Sequence, residues 1–201
     1  MPGVPPAEVV ILGAGVVGTY AARAFLGVNA HVTVMDTSLA ALQQLSDRLP
    51  QVVTMISNPV NILRVLAFAD IVVGAVFVPD QRPPVVVTRE MLRTMKPRSV
   101  VMDISIDEGG CIETSRPTTH ERPTFIEEGI IHYCVPNVPS IVARTSTYAY
   151  LNAAFPYILE LVDKGIDKAI VENKALELGV ITHRGELIHL SRLSPNTFGT
   201  E

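Results

Sequence analysis

Six short, mainly apolar runs recur along the chain, separated by stretches of mixed polarity. They cover residues 9–12, 32–35, 52–56, 71–76, 100–102 and 130–134. Short and nearly continuous apolar runs are typical of strands that are buried on both faces of a parallel sheet, because no face is left for polar residues. The pattern therefore predicts six parallel strands.

Helical segments separate several of these runs. The spacing of apolar residues predicts helices over residues 16–28, 39–49, 60–68 and 89–95. Ser38 and Thr88 are expected N-caps, Pro59 stands at an early helical position and Pro97 ends the last helix. Strands that alternate with crossover helices predict an α/β fold with a doubly wound, six-stranded parallel sheet in the order 3-2-1-4-5-6.

The pattern changes after Asn137. Residues 145–164 are predicted to form one long helix, kinked at Pro156 because proline removes a backbone donor. A hairpin is predicted from strands at residues 180–182 and 186–189. The predicted parts of the chain are a first domain, a C-terminal helical extension with the short hairpin, and a disordered polar tail, at residues 1–138, 139–193 and 194–201.

A glycine-rich turn links the first predicted strand to the first predicted helix. Its sequence is Gly13-Ala14-Gly15-Val16-Val17-Gly18, and Asp36 ends the next apolar run, about 20 residues further on. This order of strand, turn, helix, strand and acid is the fingerprint of a Rossmann dinucleotide-binding domain. Gly13 permits the tight turn, Gly15 lets the backbone approach a diphosphate, and Gly18 lets the helix pack closely on the strand.

The same residues suggest how the nucleotide is held. The amides of Ala14 to Val17 and the positive end of the helix are expected to bind the diphosphate. Asp36 is expected to accept hydrogen bonds from the adenosine ribose, and no cation follows it to bind a 2′-phosphate, so the sequence favours NAD(H) over NADP(H). Two alternatives remain open: a tight turn without a ligand, and Asp36 as a cap of the next helix, which is compatible with ribose binding.

Two long connections, at residues 78–85 and 107–128, follow predicted strands. Both should therefore lie at the carboxyl edge of the sheet, where ligands bind in such folds. Asp107 is a candidate for proton transfer or for polarising a substrate. The alternatives are that Asp107 pairs with Arg116 or accepts a backbone amide, or that Asp103 takes the catalytic role.

Histidines and cysteines add little to this picture. His31 and His132 are expected to be packing residues, and His120 is the histidine nearest the ligand edge. No H-x-x-x-H or C-x-x-C spacing occurs, so no metal site is predicted. Cys111 and Cys134 are interpreted as reduced thiols in a cytoplasmic protein, because their spacing fits neither a metal site nor a secreted disulfide framework.

Composition excludes several classes of partner. The net charge of −4 and the absence of a basic stripe argue against nucleic acid. No segment reaches the roughly 18–20 apolar residues that a membrane span requires. The first residues also lack the basic start of a signal peptide. We expect neither a nucleic-acid partner nor a membrane partner.

Four segments carry a resemblance to bacterial alanine dehydrogenases. They are residues 9–19 (VVILGAGVVGT), 105–120 (SIDEGGCIETSRPTTH), 133–139 (YCVPNVP) and 144–149 (RTSTYA). The chain resembles the C-terminal NAD(H)-binding half of this family over about residues 2–190. It is similar, more weakly, to the NAD(H)-binding subunit of pyridine nucleotide transhydrogenase.

The resemblance implies a reaction and roles for individual residues. The family oxidises L-alanine with NAD to pyruvate and ammonia, moving hydride between the substrate Cα and the nicotinamide C4. Asp107 would be the active-site aspartate beside nicotinamide and substrate. Ser57 would line the adenine pocket, and Ala75 and Val76 would flank the adenosine. The residues that would surround the nicotinamide end are Ile104, Asn137 and Val138.

The chain also departs from the family pattern. Val138 stands where methionine is usual, and residues 79–84 replace a usual Gly-Ala-Lys pattern. Family members carry an N-terminal half with a catalytic histidine and the lysine and arginine that grip the substrate carboxylate, and we expect this chain to lack that half. The long helix would then expose an apolar stripe, namely Tyr148, Leu151, Phe155, Ile158 and Val162.

We expect this stripe to be covered by self-association, as in the family's hexamers, or by a complementary N-terminal chain. The alternative is that the helix folds back on its own sheet.

Three functions remain possible at this point. The first is the cofactor-binding part of an alanine-dehydrogenase-like oxidoreductase, which would be inactive without the N-terminal half. The second is a stand-alone NAD(H)-binding or sensing module without turnover. The third is the NAD(H)-binding component of a transhydrogenase.

Overall fold

The computed structural model describes residues 3–79 and 81–188. The chain forms two units, of which the first ends at Asn137 and the second begins at Val138. The predicted disordered tail at residues 194–201 lies outside the described residues. Among the described residues, no helix is long and apolar enough to cross a membrane.

A mostly parallel sheet forms the centre of the first unit. Its strands are β1 (Glu8–Leu12), β2 (His31–Asp36), β3 (Val53–Ile56), β4 (Ile71–Gly74), β5 (Val100–Asp103), β6 (Thr124–Glu127) and β7 (Ile130–Tyr133). The spatial order is β3-β2-β1-β4-β5-β7-β6. Every neighbouring pair is parallel except β6 and β7. The doubly wound fold and the order of its six predicted parallel strands are confirmed.

The prediction of six strands is wrong in one respect, because β6 adds an antiparallel strand at the edge. Glu128 and Gly129 both have positive φ, of 53° and 76°, which is the conformation of a two-residue hairpin turn. Arg93 Nε donates to Glu128 Oε2 at 2.9 Å, and Arg89 donates to Glu127 at 2.7 Å, so ion pairs hold the hairpin. The strand was missed because it has only two consecutive apolar residues, Phe125 and Ile126, which is shorter than the runs that predict buried strands.

Four helices connect the parallel strands: α1 (Val16–Gly27), α2 (Leu39–Arg48), α3 (Pro59–Leu66) and α4 (Arg89–Leu92). Ser38 and Thr88 cap α2 and α4 as predicted, each accepting an amide at 3.2 Å. Asn58, which was not predicted as a cap, accepts the Asn61 amide at 2.8 Å. The helix α4 is shorter than the predicted 89–95, and a 3-10 helix over Ile104–Glu108 follows β5.

Separate apolar clusters cover the two faces of the sheet. Along β1, Val10 and Leu12 belong to one cluster, whereas Val9 and Ile11 belong to the other. Alternate residues of a strand point to opposite faces, so a strand buried on both faces needs an apolar residue at every position. Full burial of a side chain of this size contributes about 1.5–3 kcal/mol.

His132 on β7 is fully buried, as expected for a packing residue. Its Nδ1 lies 3.0 Å from the Ile130 carbonyl oxygen and its Nε2 lies 2.7 Å from Thr114 Oγ1. The neutral ring can donate to Ile130 and accept from Thr114, and it stacks on Phe125 at a centroid distance of 4.8 Å. Burial lowers the pKa of His132 below its usual value.

This burial makes the stability of the fold depend on pH. The unfolded chain protonates His132 near pH 6.5, whereas the folded chain resists protonation until a lower pH. The stabilising contribution is therefore complete above about pH 6.5 and is lost as the pH falls towards the folded pKa, with a slope of at most about 1.4 kcal/mol per pH unit.

Urea unfolding at several pH values tests this prediction. The unaltered chain should lose stability as the pH falls below about 6.5. His132→Gln should lack that component, although it is less stable overall. His31→Gln, at the exposed ion pair with Glu8, is the control and should keep it. An unchanged slope in His132→Gln would contradict the assignment.

The second unit is mainly helical. It contains a 3-10 helix (Val138–Val142), α5 (Ala143–Lys164), α6 (Ile166–Glu172), α7 (Lys174–Gly179), and a hairpin of β8 (Thr182–His183) and β9 (Glu186–Leu187). The helix α5 begins two residues before the predicted start and continues across Pro156. The helices α6 and α7 were not predicted. The hairpin turns at Arg184 and Gly185, within the predicted turn at residues 183–185, and its strands overlap the predicted ones at Thr182, Glu186 and Leu187.

The apolar stripe of α5 is exposed, as predicted. Tyr148, Phe155 and Val162 have 60%, 52% and 73% of their surface accessible, and Leu151 and Ile158 are also exposed. What covers these side chains stays a prediction.

Candidate functional site

A groove of about 410 Å³ opens at the carboxyl ends of β1, β2 and β4. Eight of the predicted cofactor-binding residues line it: Gly13, Gly15, Val16, Val17, Asp36, Ser57, Ala75 and Val76. The sequence analysis missed the remaining lining residues, which are Leu12, Met35, Thr37, Phe77, Val78, Pro84 and Val86.

Each glycine of the turn answers a different steric requirement. Gly13 has a φ of 112°, and a Cβ there would lie 2.3 Å from the Ala75 carbonyl oxygen. A Cβ at Gly18 would lie 1.8 Å from the Gly13 carbonyl oxygen, so only glycine lets α1 approach the turn this closely. A Cβ at Gly15 would meet no atom within 4 Å. The backbone at Gly15 therefore faces open space.

The N-terminus of α1 is suited to an anion. Gly15 is the N-cap, no side chain caps the helix, and its first turn contains no acidic residue. The first helical hydrogen bond runs from the Thr19 amide to the Gly15 carbonyl at 2.9 Å. The amides of Val16 and Val17 precede that bond and lie at the positive end of the helix dipole. The backbone at the start of α1 therefore leaves these amides available for an anion, and phosphate binding stays a prediction.

Asp36 connects two parts of the groove. Its Oδ2 accepts the Ala14 amide at 2.7 Å, and its Oδ1 accepts the Ser38 amide at 2.8 Å. The Ala14 amide therefore donates to Asp36, a contact that the sequence did not predict. Ala14 itself is buried. Each carboxylate oxygen can accept more than one hydrogen bond, so Asp36 keeps acceptor sites for further donors.

The connection after β4 forms the apolar side of the groove. Phe77 is 65% exposed, and Val78, Pro84 and Val86 line the groove with it. Phe77 and Val78 directly follow Val76, and Pro84 lies in the connection 78–85 that the sequence places at the ligand edge, which are the signals that could have identified them. The Arg82 guanidinium donates to the Gly109 carbonyl at 3.0 Å, which links this connection to the one after β5.

Asp107 lies in that second connection and is exposed. Its Oδ1 accepts the Asn137 amide at 2.8 Å, which was one of the structural alternatives for this residue. Asn137 has a φ of 51°, so the carboxylate helps to hold a left-handed backbone conformation that few residues adopt. Arg116, the other predicted partner of Asp107, lies over the Phe125 ring, with its guanidinium carbon 4.3 Å from the ring centroid.

The other predicted residues near the nicotinamide have separate positions. Ile104 begins the 3-10 helix that contains Asp107, whereas Val138 begins the second unit. Neither Ile104 nor Asn137 is among the residues that line the groove. Gly18 is buried and acts through packing.

Asp103, the competing candidate, is buried to 1% exposure. It accepts the backbone amides of Ser105, Cys111 and Ile112 at 3.0–3.2 Å. Burial, and then the charge of Asp103, raise the pKa of the Cys111 thiol to about 12, so Cys111 stays protonated. In the described part of the chain, no group of His, Cys, Asp and Glu could hold a metal ion.

Comparisons with known proteins agree with this geometry. The family model described as the alanine dehydrogenase/PNT C-terminal domain matches residues 1–190. An alanine dehydrogenase of Halomonas elongata is 45% identical over 202 aligned residues, which cover 100% of this chain and 54% of the relative. The chain therefore spans about half the length of the relatives it matches.

Solved structures show the same likeness. An L-alanine dehydrogenase superposes with a TM-score of 0.87 at 39% identity, over 94% of this chain and 52% of that one. The transhydrogenase from Sinorhizobium meliloti superposes with a TM-score of 0.69 at 27% identity, over 92% and 50% of the two chains. The C-terminal domain of these NAD-dependent enzymes is their NAD(H)-binding domain, and this chain belongs to the alanine dehydrogenase/PNT family.

Proposed function

We propose that the chain is the NAD(H)-binding part of an alanine-dehydrogenase-type oxidoreductase. The open space at Gly15, in a turn whose other glycines are closely packed, is the observation that carries the proposal. A glycine with no steric need inside the protein is explained by a ligand that approaches its backbone. The amides that face the same space and the acid beside them fit the chemistry of a dinucleotide.

The residues divide between the parts of the cofactor. The amides of Gly15, Val16 and Val17 would hold the diphosphate, and Asp36 would accept hydrogen bonds from the adenosine ribose. Ser57 would lie against the adenine, and Ala75 and Val76 would flank the adenosine. The bound nicotinamide would supply the hydride acceptor for oxidation of the substrate.

Asp107 is our candidate for the catalytic acid–base or polarising group. It is exposed at the carboxyl edge of the sheet, and one of its oxygens is fixed by the Asn137 amide. A fixed carboxylate whose second oxygen can serve a ligand is suited to holding a proton during a reaction. Ile104, Asn137 and Val138 would lie around the nicotinamide end.

By likeness to the relatives, the reaction would be the oxidative deamination of L-alanine with NAD and water to pyruvate, ammonia and NADH. The chain matches about half of each relative, so the residues that grip the substrate would come from another segment or another chain. We further propose that the exposed stripe of α5 is covered in a homo-oligomer, with a hexamer as in the family, or by that complementary chain.

A titration followed by a turnover assay tests this proposal. Adding NADH to the full chain should change the nucleotide fluorescence in a saturable way, and NADPH should bind more weakly. Pyruvate and ammonium are then added, first to the chain alone and then with the N-terminal half of the Halomonas elongata relative. Turnover only with that half would support the proposal. A folded chain that binds neither NADH nor NAD would overturn it.

Two other functions make different predictions in the same assay. A stand-alone NAD(H)-binding or sensing module would bind NADH and show no turnover in either arm. A transhydrogenase component, which the likeness to the Sinorhizobium meliloti structure keeps in consideration, would exchange hydride between two nicotinamide nucleotides without pyruvate. Among the solved structures, the higher identity to the alanine dehydrogenase, 39% against 27%, favours the first proposal.

A further inference from the structure

We infer that Asp103 is a positioning residue that fixes the loop carrying Asp107, an inference that rests on the function proposed above for Asp107. The Asp103 carboxylate binds both ends of this loop. Its Oδ1 accepts the Ser105 amide at 3.1 Å, near the start of segment 104–111. Its Oδ2 accepts the Cys111 and Ile112 amides at 3.0 and 3.2 Å, where the segment ends. One side chain therefore joins both ends of the loop.

Within the loop, the Gly109 and Gly110 amides donate to the Ile106 and Ser105 carbonyls at 3.0 and 2.9 Å, and the Asp103 carboxylate adds to these short-range bonds. The 3-10 helix Ile104–Glu108 has five residues and ends at Gly109, which has a φ of 104°. Short 3-10 helices have poor hydrogen-bond geometry, and isolated helices of this length are unstable. Asp107 stands in the middle of this helix, so its direction depends on what holds the two ends.

Two glycines leave room for the buried carboxylate. A Cβ at Gly74 would lie 2.6 Å from Cys111 Sγ and 2.9 Å from Asp103 Oδ1, and a Cβ at Gly110 would lie 2.9 Å from Oδ2. Gly110 also has a φ of 79°, which disfavours any side chain there. The strand β4 and the loop are thus both shaped around Asp103, as is expected when a residue has an organising role.

The positions of the two aspartates separate their roles. Asp103 is buried, so it cannot touch a substrate in this conformation, whereas Asp107 is exposed. Hydrogen bonds to an ionised acceptor are roughly twice as strong as neutral ones. Three backbone N–H donors therefore favour an aspartate at position 103 over an asparagine. Because Asp103 fixes both ends of the loop, it also fixes the orientation of Asp107, whose Oδ1 accepts the Asn137 amide.

Hydrogen exchange of backbone amides in Asp103→Asn tests the inference without nucleotide or substrate. In asparagine an NH₂ group replaces one oxygen and opposes a backbone N–H, so at least one end of the loop is released. The Asn137 amide should then exchange about tenfold faster relative to the core amides of Val72 and Val101. Asp107→Ala is the positive control, because it removes the side-chain oxygen that accepts the Asn137 amide.

Ser99→Ala is the matched control for general destabilisation. Ser99 is also buried, and its hydroxyl donates to the Ala69 carbonyl at 3.1 Å, outside the loop. Its loss should speed the exchange of Asn137 no more than that of the core. If Asp103→Asn speeds the exchange of Cys111 and Ile112 while Asn137 keeps its protection, Asp103 does not position Asp107.

A second measurement uses the unaltered chain, in case Asp103→Asn fails to fold. In low concentrations of denaturant, the amides of Ser105, Cys111, Ile112 and Asn137 should exchange through one opening event, with the same dependence on denaturant. An independent opening of Asn137 would overturn the inference. NADH titration of each variant keeps the proposals distinct: a chain that never binds NADH refutes the proposed function, whereas the exchange of Asn137 still decides the role of Asp103.

Discussion

Gly18→Ala is expected to unfold the first unit or to destabilise it by more than about 3 kcal/mol. The new Cβ would lie 1.8 Å from the carbonyl oxygen of Gly13 and 2.9 Å from its carbonyl carbon, and both are backbone atoms that cannot rotate away. Alanine gains only about 1 kcal/mol over glycine inside a helix, which does not offset a displaced turn. Urea unfolding followed by circular dichroism measures the loss.

Gly15→Ala is the control for this prediction, since it makes the same substitution three residues earlier. Its Cβ meets no atom within 4 Å, and its φ and ψ of −74° and −162° suit an L-residue. Stability should change by less than about 1 kcal/mol, because a poorer N-cap and a less flexible unfolded chain act in opposite directions. NADH affinity should nevertheless fall, because the methyl group enters the space proposed for the diphosphate.

The two variants together separate folding from binding. If Gly15→Ala lost as much stability as Gly18→Ala, a methyl group at position 15 would have to clash with the protein, and the proposed space beside Gly15 would be refuted. Normal NADH binding by Gly15→Ala would show that the diphosphate lies elsewhere.

Asp36→Ala is expected to lower the affinity for NADH by about 100-fold. Each hydrogen bond to a charged acceptor is worth about 1.5–3 kcal/mol, and a loss of about 2.8 kcal/mol corresponds to a 100-fold change in affinity. The substitution also leaves the amides of Ala14 and Ser38 without their acceptor, so the turn and the start of α2 lose a common support. Fluorescence titration with NADH gives the affinity directly.

Two further titrations make the Asp36 prediction specific. Asp70→Ala removes another carboxylate that accepts a backbone amide, from Glu8 at 2.9 Å, at the opposite edge of the sheet, and it should bind NADH normally. The preference for NADH over NADPH should shrink in Asp36→Ala, because a carboxylate beside a 2′-phosphate costs several kcal/mol. Equal affinities of Asp36→Ala and the unaltered chain for NADH would place the ribose elsewhere.

Sequence patterns predicted the parts of the fold that depend on local chemistry. The strand β1, the glycine turn and the start of α1 follow from residues adjacent in the chain, and the caps Ser38 and Thr88 act within three residues of their own position. Burial on both faces produces the uninterrupted apolar run at Val9 and Val10, so this signal needs no knowledge of distant residues.

The features that sequence did not predict depend on long-range partners. The edge strand β6 and the turn after it are held by ion pairs of Glu127 and Glu128 with Arg89 and Arg93, which are distant in sequence. The bond between Ala14 and Asp36 spans 22 residues, and the role of Asp103 depends on amides at both ends of a folded loop. No periodicity or cap signal records such contacts.

The dual engagement of Asp36 has a consequence for redesign. In Rossmann domains an acid at this position suits NAD(H), whereas a nearby arginine accommodates the 2′-phosphate of NADP(H). Here the acid also braces the elbow that precedes the first crossover helix, through the amide of Ala14. Replacing Asp36 alone would therefore weaken the preference for NAD(H) and would also loosen the turn proposed to bind the diphosphate. A switch to NADP(H) requires a second acceptor for the Ala14 amide.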